Sequence, residues 1–152
     1  MRVRLEVGVE SEVPPATIRR ALLDFSDQRA DLWPQLDPKT YKVHWVDETN
    51  AELTEGTAFP KVWSRERYDW SHATTITWTA VESNFCVPGS YVSMDIQPGS
   101  GGGSRITVVW DRTAANLKGR VNLFVIRIGG HRLLRWATRK SLDDVARAYG
   151  DS

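Results

Sequence analysis

The sequence holds a single cysteine, Cys86, and no apolar run near the roughly 20 residues of a membrane span. One thiol cannot close an internal disulfide, and without a CxxC or a Cys/His cluster there is no zinc site to read. The three histidines, His44, His72 and His131, are scattered, and none falls in an HExxH spacing. There is no GxSxG elbow, and Cys86 beside Val87-Pro88 has no basic neighbour to activate it, so nucleophilic catalysis has no signature. Glycines cluster in PGSGGGS, residues 98–104, but no Lys-Ser or Lys-Thr follows. The run leads into a strand, whereas a phosphate-binding loop must open a helix. The N-terminus alternates charged and apolar residues and lacks the continuous apolar core of a signal peptide. Together these absences predict a soluble, cytoplasmic chain with no metal and no cofactor.

Net charge is also small, at +1, although it is unevenly spread: residues 1–113 carry −4 and residues 114–152 carry +5. Nucleic-acid binders show a stronger excess, with aromatic or glycine motifs that are missing here, so no nucleic-acid partner is expected. The basic segment reads first as a solvated outer face complementing an acidic sheet. A docking surface for an acidic protein or an anionic membrane stands behind that reading.

What the chain does have is one long helical pattern. From Ala114 to Tyr149 the apolar residues Leu117, Val121, Phe124, Val125, Ile128, Leu134, Ala137, Leu142, Val145, Ala146 and Tyr149 recur mostly at threes and fours. This spacing predicts a single amphipathic helix, with Gly129-Gly130 as a kink or hinge inside it.

The rest reads as strands, after one short helical interlude. Val3, Leu5, Val7 and Val9 alternate with polar residues as in a half-buried strand. Pro14-Pro15 then starts a short helix from Ala16 to Phe25. Ser26-Asp27 caps a second turn through Leu32, which Trp33-Pro34 ends. Strands follow at 41–46, 51–54, 58–70, 74–81, 91–97 and 105–111. In the segment AFPKVWSRERYDW the phase Val62, Ser64, Glu66, Tyr68, Trp70 is taken as inward because it carries fewer charges.

A sheet needs cover for its apolar face, and here one helix must supply most of it. If that cover is loose, a cavity for an apolar ligand remains. Seven tryptophans make such a wall plausible, since each offers bulk and one N–H donor. The expected lining is Tyr68, Trp70, Trp78, Met94 and Trp110 from the sheet, with Phe124 and Ile128 from the helix. Glu66 and Tyr68 are weak catalytic candidates. Facing inward, Glu66 would be desolvated with a raised pKa, and could exchange protons with a bound carbonyl compound. The plainer reading makes Glu66 an exposed strand glutamate paired with Arg65 or Arg67, and Tyr68 a buried tyrosine bonded to backbone.

The stretches EVPPATIRRALLDFSDQRADLWPQLDP, ERYDWS, ESNFCVPGS and GGGSRITVVW resemble the START-like, or SRPBCC, superfamily, in particular members of the polyketide cyclase/dehydrase and lipid transport family. The resemblance spans nearly the whole chain and implies one START-like ligand-binding domain over residues 1–152. It also implies an α+β helix-grip fold: a curved antiparallel sheet of about seven strands around a long C-terminal helix, with two short helices after the first strand. An apolar cavity lies between sheet and helix in such a fold. Binding or carriage of a small hydrophobic or aromatic, lipid- or polyketide-like molecule is the implied function. A polyketide cyclase, aromatase or dehydratase acting in the same cavity is the alternative.

Overall fold

Alternation at the N-terminus produces β1 (Arg2–Ser11), whose Val3, Leu5, Val7 and Val9 are buried while their neighbours face solvent. The computed structural model describes residues 1–33 and 35–149. Two short helices follow. In α1 (Pro15–Leu22) the proline occupies the first turn, where its missing N–H costs nothing. In α2 (Arg29–Leu32) Ser26 Oγ accepts from the Gln28 N–H at 3.3 Å, just ahead of the helix. The expected stop at Trp33-Pro34 falls partly on Pro34, which lies outside the described residues.

The chain then meanders through β2 (Lys42–Val46), β3 (Asn50–Thr57), β4 (Val62–Asp69), β5 (Thr75–Ser83), β6 (Tyr91–Pro98) and β7 (Ser104–Thr113). These strands form one seven-stranded antiparallel sheet in the order β1-β7-β6-β5-β4-β3-β2. The glycine run makes the turn between β6 and β7, with Gly101 and Gly102 at positive φ. Last comes α3 (Leu117–Tyr149). Its Leu142 and Val145 belong to the same buried cluster as Leu53, Ile76, Val92, Ile106 and Val108 of the sheet and Ile18 of α1. Each of these side chains contributes roughly 1.5 to 3 kcal/mol by leaving water.

The single amphipathic helix expected over residues 114–149 is broken. Gly130 has φ 54° and ψ −143°, a conformation open to glycine and strained for other residues. Beyond the break the expected inward set holds: Leu142 and Val145 are buried, and Leu134, Ala146 and Tyr149 pack against the core. Before it, the expected set faces out. Leu117, Val121, Phe124, Val125 and Ile128 are all more than half exposed, and Leu123 is buried in their place against Val3 and Leu5.

The cause is local. Asn116 Oδ1 caps α3 by accepting from the Gly119 N–H at 2.9 Å. A Cβ on Gly119 would stand 1.9 Å from the Phe85 carbonyl oxygen, so the helix start lies against that backbone and its rotation is set there. This half of the helix is apolar on two opposite faces. Spacing alone could not choose between them, and the break at Gly130 removes the second half as a guide.

Candidate functional site

Between the sheet and α3 lies a cavity of about 320 Å³. Its sheet wall is Trp78, Val92, Met94, Val108 and Trp110, side chains that share one face because strand residues alternate. Leu134, Ala137 and Leu142 of α3 close the opposite side, and Leu22, Trp33 and Leu36 close one end. Tyr68 stacks on Trp78 with ring centroids 5.3 Å apart.

Two buried ion pairs interrupt this apolar wall. In the first, Arg29 Nε donates to Glu55 Oε2 at 3.1 Å and Nη2 donates to the Tyr68 hydroxyl at 2.9 Å, while Tyr68 donates in turn to Glu55 Oε1. Arg29 also donates to the Leu22 carbonyl at 2.8 Å and the Asp24 carbonyl at 3.1 Å, and its guanidinium lies over the Phe25 and Tyr68 rings. Burial works against its charge, but Glu55 and Tyr68 outweigh it and hold the guanidinium firmly protonated. Burial, and then Glu55, push the Tyr68 hydroxyl well above its ordinary range. Tyr68 is therefore a fixed neutral donor and no base.

In the second pair, Arg112 Nη2 donates to Glu66 Oε1 at 2.8 Å, and Nη1 reaches Cys86 Sγ at 3.7 Å. The Arg112 guanidinium lies 5.7 Å from the Phe85 and Trp110 ring centroids. Burial raises the Glu66 pKa, and Arg112 offsets this only in part. Glu66 Oε2 is buried without a hydrogen-bond partner among the described residues, and so is Trp33 Nε1. Both side chains line the cavity.

Of the residues expected at the site, Tyr68, Trp78, Met94 and Trp110 are brought together around the cavity, and Glu66 joins them. Glu66 is only 3% exposed, which corrects the exposed reading: the pairing expected between Glu66 and Arg65 or Arg67 belongs to Glu52, which forms ion pairs with them at 2.5 and 3.2 Å. Tyr68 is bonded to side chains and not to backbone. Trp70 stands apart from the lining. It follows the end of β4, its Nε1 donates to the Glu48 carbonyl at 2.8 Å, and its ring packs beside Phe25. Phe124 and Ile128 are 57% and 72% exposed and face away from the cavity, because the first half of α3 turns Leu123 inward. Among the described residues no group of three or more His, Cys, Asp or Glu is placed to hold a metal.

Sequence reasoning missed Arg29, Glu55 and Arg112. For two of them a signal was present. Continuing the inward phase Ile106, Val108, Trp110 by one step reaches Arg112, and continuing Ala51, Leu53 reaches Glu55. Ending those strands at Asp111 and Thr54 hid both. Arg29 carries no such signal, since a four-residue helix has no period to place it.

No family model matches the chain, and no curated protein is similar enough in sequence to match it. Solved structures share its fold. Protein TTHA0849 from Thermus thermophilus superimposes with a TM-score of 0.73 at 12% identity, covering 97% of this chain and 99% of that one. An aromatase/cyclase from Streptomyces sp. R1128 does so at 0.66 and 11%, covering 97% and 88%. A START superfamily protein from Mycobacterium smegmatis does so at 0.63 and 11%, covering 95% and 92%. The chain has the START-like, SRPBCC-type helix-grip fold.

Proposed function

From this fold we propose that residues 1–152 act as one unit, in the cytoplasm, that binds or carries a small hydrophobic or aromatic molecule in the cavity between sheet and α3. The observation that carries the reading is the cavity itself, with a mostly apolar wall that includes Glu66, whose Oε2 is buried without a hydrogen-bond partner among the described residues. Trp78, Met94, Trp110 and Tyr68 serve as the ligand-facing wall.

The polar groups narrow the ligand. Both buried arginines are already neutralised by a glutamate, so a fatty-acid carboxylate would enter as an uncompensated buried charge, which is costly. A neutral molecule with one hydroxyl or N–H donor avoids that cost and satisfies Glu66 Oε2. Calorimetric titration with 2-naphthol, 2-methoxynaphthalene and laurate tests this. Naphthol should bind, the methoxy compound, which lacks the donor, should bind about tenfold more weakly, and laurate should fail. Laurate binding tighter than naphthol would sink the reading. So would the absence of any retained molecule in native mass spectrometry together with no binding of either aromatic.

A second reading, a cyclase or dehydratase of polyketide-like substrates, is favoured by the same Glu66 oxygen. An inward carboxyl with a raised pKa is suited to exchange a proton with bound substrate. Tyr68, bonded to Arg29 and Glu55, would orient that substrate's surroundings and take no part in proton transfer. Glu66→Gln separates the two: a carrier loses affinity for donor-bearing ligands, whereas an enzyme loses turnover with affinity nearly intact.

A further inference from the structure

The first half of α3 is apolar on two opposite sides. Leu123 and Ile126 turn onto Val3 and Leu5 of β1, while Leu117, Val121, Phe124, Val125 and Ile128 form a stripe on the outer side, each more than half exposed. Exposed Lys118, Arg120 and Arg127 lie on the same turns and flank that stripe. A helix apolar all round is ordinarily covered all round, and a patch of this kind marks a contact surface.

Charge selects what covers it. Residues 114–142 contain seven Lys and Arg and no Asp or Glu. Among the described residues, the α3 cations held in ion pairs are Lys140 and Arg147, both with Asp144 near the far end of the helix. A second copy docked stripe to stripe about a two-fold axis would bring Lys118, Arg120 and Arg127 of both copies together with no carboxylate on that helix half to offset them. An anionic bilayer meets both demands at once. The apolar side chains enter the boundary between headgroups and acyl chains, and the cations reach the phosphates.

A further exposed apolar side chain stands in a turn whose two ends line the cavity. Phe59 is 97% exposed in the turn between β3 and β4, and Thr57 and Val62 at the two ends of that turn line the cavity, as do Asn122 and Leu134 of α3. We propose that the outer face of α3 from Leu117 to Ile128 rests on an anionic lipid surface, lying in it and not crossing it. The proposal stands whether or not the cavity holds a ligand.

Flotation with vesicles of phosphatidylglycerol and phosphatidylcholine in equal parts tests it. The full chain should bind them at low salt, bind phosphatidylcholine vesicles weakly, and lose affinity as salt rises. Phe124→Ser with Ile128→Ser should weaken binding about tenfold or more. Arg120→Gln with Arg127→Gln should weaken it on the anionic vesicles alone. All four side chains are exposed, so thermal midpoints should stay unchanged. Any of four results overturns the proposal. One is no binding to the anionic vesicles at low salt. Another is undiminished binding by the serine variant. A third is a dimer in sedimentation equilibrium that the serine variant dissolves, which assigns the stripe to a second copy. The last is binding to polyglutamate as tight as to vesicles, which assigns it to an acidic protein.

Discussion

Glu66 and Arg112 are the residues on which the site's chemistry turns, and each is intelligible only through the other. They lie on β4 and β7, far apart in sequence, and meet because both strands point alternate residues at one face of the sheet. Arg112→Leu leaves Glu66 buried without its counter-charge and should cost about 3 to 5 kcal/mol in urea unfolding. Adding Glu66→Gln should restore most of that loss, because the buried charge goes with it. A double variant no more stable than Arg112→Leu would mean that the pair is held by packing and not by charge. Glu66 was legible in the sequence as an inward strand position. Its partner stood one step beyond the inward phase Ile106, Val108, Trp110, but that the two would pair leaves no local mark in the sequence.

At the scale of elements, α3 shows how a helical period can be real and still point the wrong way. Leu117, Val121, Phe124, Val125 and Ile128 keep faultless helical spacing, yet Gly119 against the Phe85 carbonyl seats the opposite face on β1. The glycine pair was legible as a kink. Gly130→Ala should cost about 1 to 3 kcal/mol, read as a lower thermal midpoint, because alanine must adopt φ 54°. If the break also lets α3 lift, the Gly129→Ala, Gly130→Ala variant should slow ligand exchange measured by stopped flow, and an unchanged rate would remove the hinge. The strand meander, by contrast, was read nearly complete, since alternation over Val3 to Val9, Val92 to Ile96 and Ile106 to Trp110 needs no partner to be seen.

The molecule as a whole divides its charge, and its response to acid follows from where the carboxylates sit. Asp111 accepts from Arg2 at 2.6 and 2.9 Å, which holds its carboxyl below the usual range. Glu52 is held down too: burial opposes its ionisation, and Arg67, Arg65 and Trp45 outweigh it. A carboxylate with a depressed folded pKa stabilises fully above its unfolded value and loses that contribution as pH falls through the folded one. Urea midpoints should therefore fall as pH drops below about 4. Asp111→Asn should flatten part of that fall, and an unaltered profile would discount the Arg2 contact. Glu66 acts in the opposite sense. Burial raises its folded pKa, so its cost applies above that value and is relieved once pH falls below the unfolded one.

By itself the sequence determined the order of elements and most of the sheet wall of the cavity, because alternation, turn residues and breakers act between near neighbours, while the helix-grip architecture was what its resemblance to the START-like superfamily implied. Only the tertiary structure decided which face of α3's first half is inward, that Arg29 and Arg112 are the counter-ions of the cavity, and that Glu66 on its lining holds one buried oxygen with no hydrogen-bond partner among the described residues. Those outcomes depend on contacts between segments distant along the chain, such as Gly119 against Phe85 and β4 opposite β7's inward face, and no periodicity records what will stand on the other side.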